Sequence, residues 1–182
     1  MKNIFIFLLV LGFNFTVKCQ TVTTFYLVRH AEKVTSDPSN KDPLLTENGQ
    51  KRALFLVKKL KNKKLSAIYS TDFQRTKLTA KPIADKQKLE VQLYNPKQVK
   101  SWASTLLQEN KGGKILIVGH SNTVLETIEA LGGKRPFAEI MEQDYDYFFT
   151  VNIEEDGTMK VEFEHYGEKS SGVEGLQMMK QN

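Results

Sequence analysis

Lys114-Ile115-Leu116-Ile117-Val118-Gly119-His120 is the stretch on which the fold turns. Its apolar run has strand length and no polar alternation, so it predicts a central strand covered on both faces. Such a strand calls for helices on either side of a mostly parallel sheet. The flanking sequence supplies them. Phe25-Tyr26-Leu27-Val28 is a second apolar run of strand length, Leu65 to Tyr69 a third, and Leu89, Val91 and Leu93 alternate as a fourth. Between them lie helical patterns. Thr46 is a plausible N-cap for a helix carrying Ala53, Leu54, Val57 and Leu60. Phe73 to Ala84 reads as a helix that Pro82 should kink or end early. Pro96 opens another through Val99, Trp102, Ala103 and Leu106, closed by Gly112-Gly113. Asn122 to Leu131 is a fourth, stopped by Gly132-Gly133. Tyr147 to Ile153 and Met159 to Phe163 flank the turn Glu154-Glu155-Asp156-Gly157, which predicts a closing hairpin. The sum is an α/β chain: a three-layer α/β/α sandwich with a mostly parallel central sheet and a C-terminal hairpin.

The first nineteen residues are expected to stand outside this fold. Lys2, the apolar stretch from Ile4 to Phe13 and the polar residues after it form a secretory signal pattern, too short for a membrane span. Residues 20–182 then form a single domain, with a loose tail after about residue 166. The expectation is export to a periplasmic or extracellular location. Cys19 admits lipid attachment as a lesser alternative, against which Lys18 argues. Without Cys19 the chain has no cysteine, hence no disulfide, thiol nucleophile or thiolate metal site. Without Lys2 and Lys18 the balance is 24 basic to 21 acidic residues, too mild to imply nucleic acid. No later segment could span a bilayer as a helix. The oligomeric state is not encoded in any stripe that differs from ordinary surface.

Only four of the 26 basic residues are arginines: Arg29, Arg52, Arg75 and Arg135. In a lysine-favouring chain an arginine at a strand end suggests a reason, because its planar fork matches phosphate oxygens and an ammonium does not. Arg29 and His30 follow the first strand. Arg75 enters the helix after the second strand, and His120 follows the central one. In open α/β sheets these carboxyl ends form the ligand crevice. The helix starting near Asn122 offers free backbone N–H groups to an anion. Four such groups at converging strand ends could form a phosphate pocket with a nucleophile. Arg52 reads as a surface residue, Arg135 as a loop residue, and His165 as structural or exposed. Two weaker alternatives stand beside this. His30, His120 and Glu32 could ligate a metal, but two arginines would repel a dication. Ser70 or Ser121 could be a nucleophile, but neither sits in a Gly-x-Ser-x-Gly elbow.

Three motifs in order, Arg29-His30-Ala31-Glu32-Lys33, Ser70-Thr71-Asp72-Phe73-Gln74-Arg75-Thr76 and Gly119-His120-Ser121-Asn122-Thr123, resemble the histidine phosphatase superfamily. The similarity is to its phosphoglycerate-mutase-like branch, among small members without a large cap. The resemblance spans about Thr24 to Phe163 and implies that His30 attacks phosphorus and forms a phosphohistidine. By the same resemblance Arg29 and Arg75 hold the equatorial oxygens and His120 completes the pocket. Ser121, Asn122 and Lys33 are further candidate contacts to the substrate's anionic groups. No metal and no cofactor are expected.

The 44 residues between Arg75 and His120 leave no room for an enclosing insertion, so the pocket should be open and shallow. That argues against a mutase, which must retain its intermediate. It suits a phosphomonoester hydrolase acting on a small phosphorylated substrate or a phosphorylated protein side chain. The proton donor for the leaving group is the weak point of the pattern. Ser121 follows His120 where some relatives carry Asp, and Asn95 and Glu90 are poor substitutes. Glu32 is the leading candidate, with Asp144 and Asp146 further away. The alternatives are a phosphohistidine-protein phosphatase and, from another class, a non-catalytic phosphate or phospho-ligand binding module.

Overall fold

The apolar runs form strands and the amphipathic stretches form helices, in the order the periodicities require. The computed structural model describes residues 21–170, so the expected signal segment lies outside the described residues. Strand β1 (Thr23–Arg29) leads to helix α1 (Glu47–Leu60), β2 (Ala67–Ser70), α2 (Gln74–Gln87) and β3 (Val91–Leu93). A short 3-10 turn (Pro96–Gln98) precedes α3 (Val99–Glu109), β4 (Lys114–Gly119) and α4 (Ser121–Ala130). Strands β5 (Tyr147–Ile153) and β6 (Met159–His165) close the chain as a hairpin.

The sheet order is β3-β2-β4-β1-β5-β6. The first four strands are parallel and the last two antiparallel. The stretch from Lys114 therefore lies inside the sheet, between β2 and β1, and Ile115 to Val118 are fully buried. Its side chains alternate between two cores. Ile115 and Ile117 join Phe25, Leu27, Leu106 and Val124 beneath α3 and α4. Leu116 and Val118 join Tyr26, Val28, Leu56 and Ile83 beneath α1 and α2. Each such side chain contributes about 1.5–3 kcal/mol on burial, so the central strand anchors both outer layers at once.

Thr46 caps α1 as the sequence suggests, its hydroxyl accepting from Gly49 N–H at 3.1 Å. Helix α2 departs from expectation. It continues past Pro82 to Gln87 and closes at Lys88, whose φ is 56°. Ala80, Ile83 and Ala84 on either side of Pro82 are buried against the sheet. Their packing offsets the missing hydrogen bond. The tail also departs from expectation as far as it is described. Tyr166 is buried, the carbonyls of Tyr166 and Glu168 accept from Arg52, and Ser170 N–H donates to Asp146.

The topology places the site. Because β4 inserts between β1 and β2, Arg29 pairs with Gly119 and Ser70 with Val118. The three motif-bearing strand ends thus reach one rim side by side. His30 N–H extends the ladder by donating to Gly119 O at 2.9 Å. Gly119 is required for close packing: a Cβ there would lie 2.7 Å from Thr123 Oγ1 and 2.8 Å from the Tyr94 hydroxyl.

Candidate active site

The rim forms an open cleft of about 390 Å³. Arg29, His30, Lys33, Arg75, His120, Ser121 and Asn122 all line it, joined by Phe73, Lys97 and Glu142. Seven of the eight residues singled out from the sequence are therefore together; Glu32 is the exception.

His30 is only 3% exposed. Its Nδ1 lies 2.8 Å from the carbonyl of Ala31. A carbonyl only accepts, so Nδ1 carries the proton and the lone pair of the neutral ring is on Nε2. Burial, and then the nearby charges of Arg29, His120 and Arg75, push the His30 pKa down to about 2, against the opposing Ala31 hydrogen bond. The ring is thus neutral across the physiological range, in the tautomer that a nucleophilic Nε2 requires.

His120 lies across from it, ring centroids 5.5 Å apart. Burial first, and then Arg75, Arg29 and Lys33, lower its pKa to about 4. Its Nε2 is 2.9 Å from Thr71 Oγ1, which is 2.9 Å from Thr76 Oγ1. The Thr76 hydroxyl reaches the carbonyls of Thr71 and Phe73, both at 2.9 Å. One chain satisfies every group: His120 Nε2–H to Thr71, Thr71 O–H to Thr76, Thr76 O–H to a carbonyl. The two threonines of the second motif thereby fix the ring of the third.

The two arginines differ. Arg75 stacks over the Phe73 ring at 4.3 Å and reaches Asp42 Oδ1 at 3.7 Å, leaving its guanidinium edge on the cleft. Arg29 is 2% exposed and more heavily engaged. Its Nη1 donates to the carbonyls of Met141, Glu142 and Asp144 at 2.7, 3.0 and 3.2 Å. Its Nη2 meets Glu142 Oε2 at 3.0 Å, and Tyr145 covers its face at 4.5 Å. Arg29 therefore anchors the segment before β5 as well as facing the cleft. The Nε atoms of Arg29 and Arg75 are buried without a protein partner, so each retains a donor that an oxyanion would satisfy.

Two expectations from the sequence are corrected here. Arg52 is not a surface residue: it is 4% exposed. It grips Glu32 through Nε at 3.0 Å to both carboxylate oxygens and Nη2 at 2.6 Å. Glu32 is consequently turned from the cleft, and its placement does not suit proton transfer to a leaving group or a metal ion beside His30. The backbone arranges this. Glu32 O accepts from Thr46 N–H at 2.9 Å, and Gly49 admits the contact, since a Cβ there would lie 2.2 Å from Glu32 O. Asp146 is buried on Ser170 and His165, and Asp144 contributes its carbonyl to Arg29. Asn95 caps the 3-10 turn by accepting from Lys97 N–H. Arg135 pairs with Glu129, outside the cleft lining. Glu142 and Lys97 escaped the sequence reading because both lie in irregular segments with no periodicity or motif to mark them.

Residues 25–95 match the model of the histidine phosphatase superfamily (branch 1). The matched stretch contains the first two of the three motifs, Arg29-His30 and Ser70 to Thr76. Among curated proteins, phosphoserine phosphatase 1 of Hydrogenobacter thermophilus is 42% identical over 69 residues. That alignment covers 36% of this chain and spans only 33% of the relative. Solved structures share the fold over more of the chain. The protein histidine phosphatase SixA complexed with tungstate matches with a TM-score of 0.62 and 18% identity, over 79% of this chain and 96% of that one. YhfR of Bacillus stearothermophilus matches with a TM-score of 0.62 and 19% identity, over 78% and 96%. A mycobacterial glucosyl-3-phosphoglycerate phosphatase matches with 0.64 and 11%, over 80% and 98%.

Proposed function

We propose that this protein is a phosphomonoester hydrolase that works through a phosphohistidine on His30. The observation that carries the reading is the buried, neutral imidazole whose Nδ1 is tied to Ala31 O, between two guanidiniums at one strand rim. Phosphoryl transfer asks mainly for in-line placement and stabilisation of charge on the equatorial oxygens. Arg75, Arg29, His120 and the first turn of α4 supply that charge stabilisation. His30 Nε2 attacks phosphorus, the leaving oxygen departs with its bonding electrons, and water then hydrolyses the phosphoenzyme. The reaction is metal-independent in this reading, because the cations around His30 would repel a dication.

The open cleft suits a small phosphorylated substrate. Equally, with no inserted cap between Arg75 and His120, it admits a phosphorylated protein side chain, phosphohistidine included. No helix among the described residues is long and apolar enough to cross a membrane. Export to the periplasm or beyond belongs to the proposal on the strength of the sequence from Lys2 to Phe13 alone.

The test is trapping. Wild-type protein turning over a labelled phosphate ester and quenched under alkaline denaturing conditions should carry label on His30. His30→Asn should carry none and should not turn over. Undiminished turnover by His30→Asn would refute the reading. Phosphate binding that depends on Arg75 without hydrolysis of any activated ester would instead favour the non-catalytic binding module.

A further inference from the structure

We propose that Glu142 is the acid that protonates the leaving group, an inference that rests on the phosphatase reading above. An alkoxide is a poor leaving group, so a phosphatase for ordinary esters needs a proton donor at the cleft mouth. Among the described residues lining the cleft, Glu142 is the carboxylate. The others nearby are engaged elsewhere: Glu32 on Arg52, Asp146 on His165 and Ser170, Asp42 on the Gln74 N–H and Arg75.

Glu142 is fixed at the backbone while its side chain reaches solvent. Arg29 Nη1 holds the carbonyls of residues 141, 142 and 144, while the Glu142 side chain is 74% exposed. Its Oε2 rests on Arg29 Nη2 at 3.0 Å, and both residues line the cleft. The groups that share the cleft with it are Arg29, His30 and Lys33 from the β1 end, Arg75 from α2, Lys97 from the 3-10 turn and His120 before α4. In this setting of cations the carboxylate is paired with Arg29.

A phosphate dianion changes that balance. It competes for the same Nη2 and displaces the carboxylate. It also brings negative charge beside it, and both effects raise the carboxylate's proton affinity. Substrate binding thus drives Glu142 to take up a proton where a proton is needed. In the first half-reaction, His30 Nε2 forms the N–P bond and the P–O bond breaks toward the leaving oxygen. That oxygen takes the Glu142 proton and departs as the alcohol. In the second, Glu142 as carboxylate accepts a proton from the attacking water. The N–P bond then breaks, its pair returns to Nε2, and inorganic phosphate leaves. The proton donor thus comes from the segment between α4 and β5, after the third motif rather than between the second and third.

Glu142→Gln tests this, and exposure of the side chain makes the variant safe for folding. On ethyl phosphate, whose leaving group needs a proton, kcat should fall by about 10²-fold or more. On a dinitrophenyl phosphate ester, whose anion leaves unprotonated, kcat/KM, which reports phosphoenzyme formation alone, should be nearly unchanged, while kcat falls with the lost base in the second half-reaction. The alkaline limb of the wild-type pH profile on ethyl phosphate should vanish in the variant. Calorimetry with sulfate, a dianion that keeps its charge near neutrality, should show proton uptake on binding to the wild type and less to Glu142→Gln. Equal loss of kcat/KM on both esters would overturn the proposal, assigning Glu142 to placement of Arg29. Full activity on both would overturn it too, assigning the donor elsewhere. Loss of the dinitrophenyl ester reaction in His30→Asn, with its retention in Glu142→Gln, separates the two claims. A wild type inert toward both esters defeats the phosphatase reading itself.

Discussion

Keeping His30 neutral inside the fold should make stability depend on acidity in a way one substitution can isolate. The ring is 3% exposed and its pKa is pushed from 6.5 to about 2, burial being the largest cause. In the unfolded chain it titrates near its ordinary value. Below that value the unfolded state binds a proton that the folded state refuses, so lowering the pH favours unfolding. Stability from the neutral ring is complete above about pH 6.5 and is lost progressively as pH falls toward the folded pKa. The slope for one group is about 1.4 kcal/mol per pH unit. The slope is half of that at about pH 6.5 and full by about pH 5.5, so between about pH 6.5 and about pH 4.5 the loss from His30 is about 2 kcal/mol. Urea unfolding of wild type and His30→Asn across that range provides the assay. The wild type should lose about 2 kcal/mol more than the variant. His120 adds a loss of the same sign over the window from 6.5 down to about 4, present in both proteins, so it cancels in the comparison. Parallel curves would refute the reasoning, as would an NMR titration of His30 near its ordinary pKa in the folded protein.

Two further outcomes follow from ion pairs and hydrogen bonds. Arg52→Met leaves the Glu32 carboxylate and the carbonyls of Tyr166 and Glu168 without their donor. It should destabilise by about 3 kcal/mol, the low end for a buried pair because Glu32 is partly exposed, and a melting curve at neutral pH measures it. Thr71→Val removes the partner of His120 Nε2 and breaks the chain to Thr76. It should lower kcat/KM about tenfold, the worth of a hydrogen bond of about 1.4 kcal/mol, and turn the single His120 tautomer into a mixture detectable by ring nitrogen NMR.

Much of the architecture was legible because its determinants are local. The unbroken run from Ile115 to Val118 can only be satisfied between two helical layers, and it lies there. Thr46 caps α1 because a hydroxyl three residues from an N–H needs no distant partner. Pro82 misled, since its cost is local while the burial of Ile83 and Ala84 that outweighs it is tertiary.

The sequence by itself determined that two histidines and two arginines stand after strands, and that those strands share a sheet. A strand's end and its periodicity are properties of a few neighbouring residues. Only the tertiary structure decided which carboxylate serves which arginine. Glu32 and Arg52 meet because Gly49 lets the loop after β1 lie directly on α1. Glu142 reaches the cleft because Arg29, 113 residues earlier, holds its backbone carbonyl. Charge pairing depends on distances of a few ångströms set by packing across the whole chain. The loop that the sequence marked for the acid therefore carries a structural ion pair, and an unmarked loop brings a carboxylate into the cleft that His30 lines.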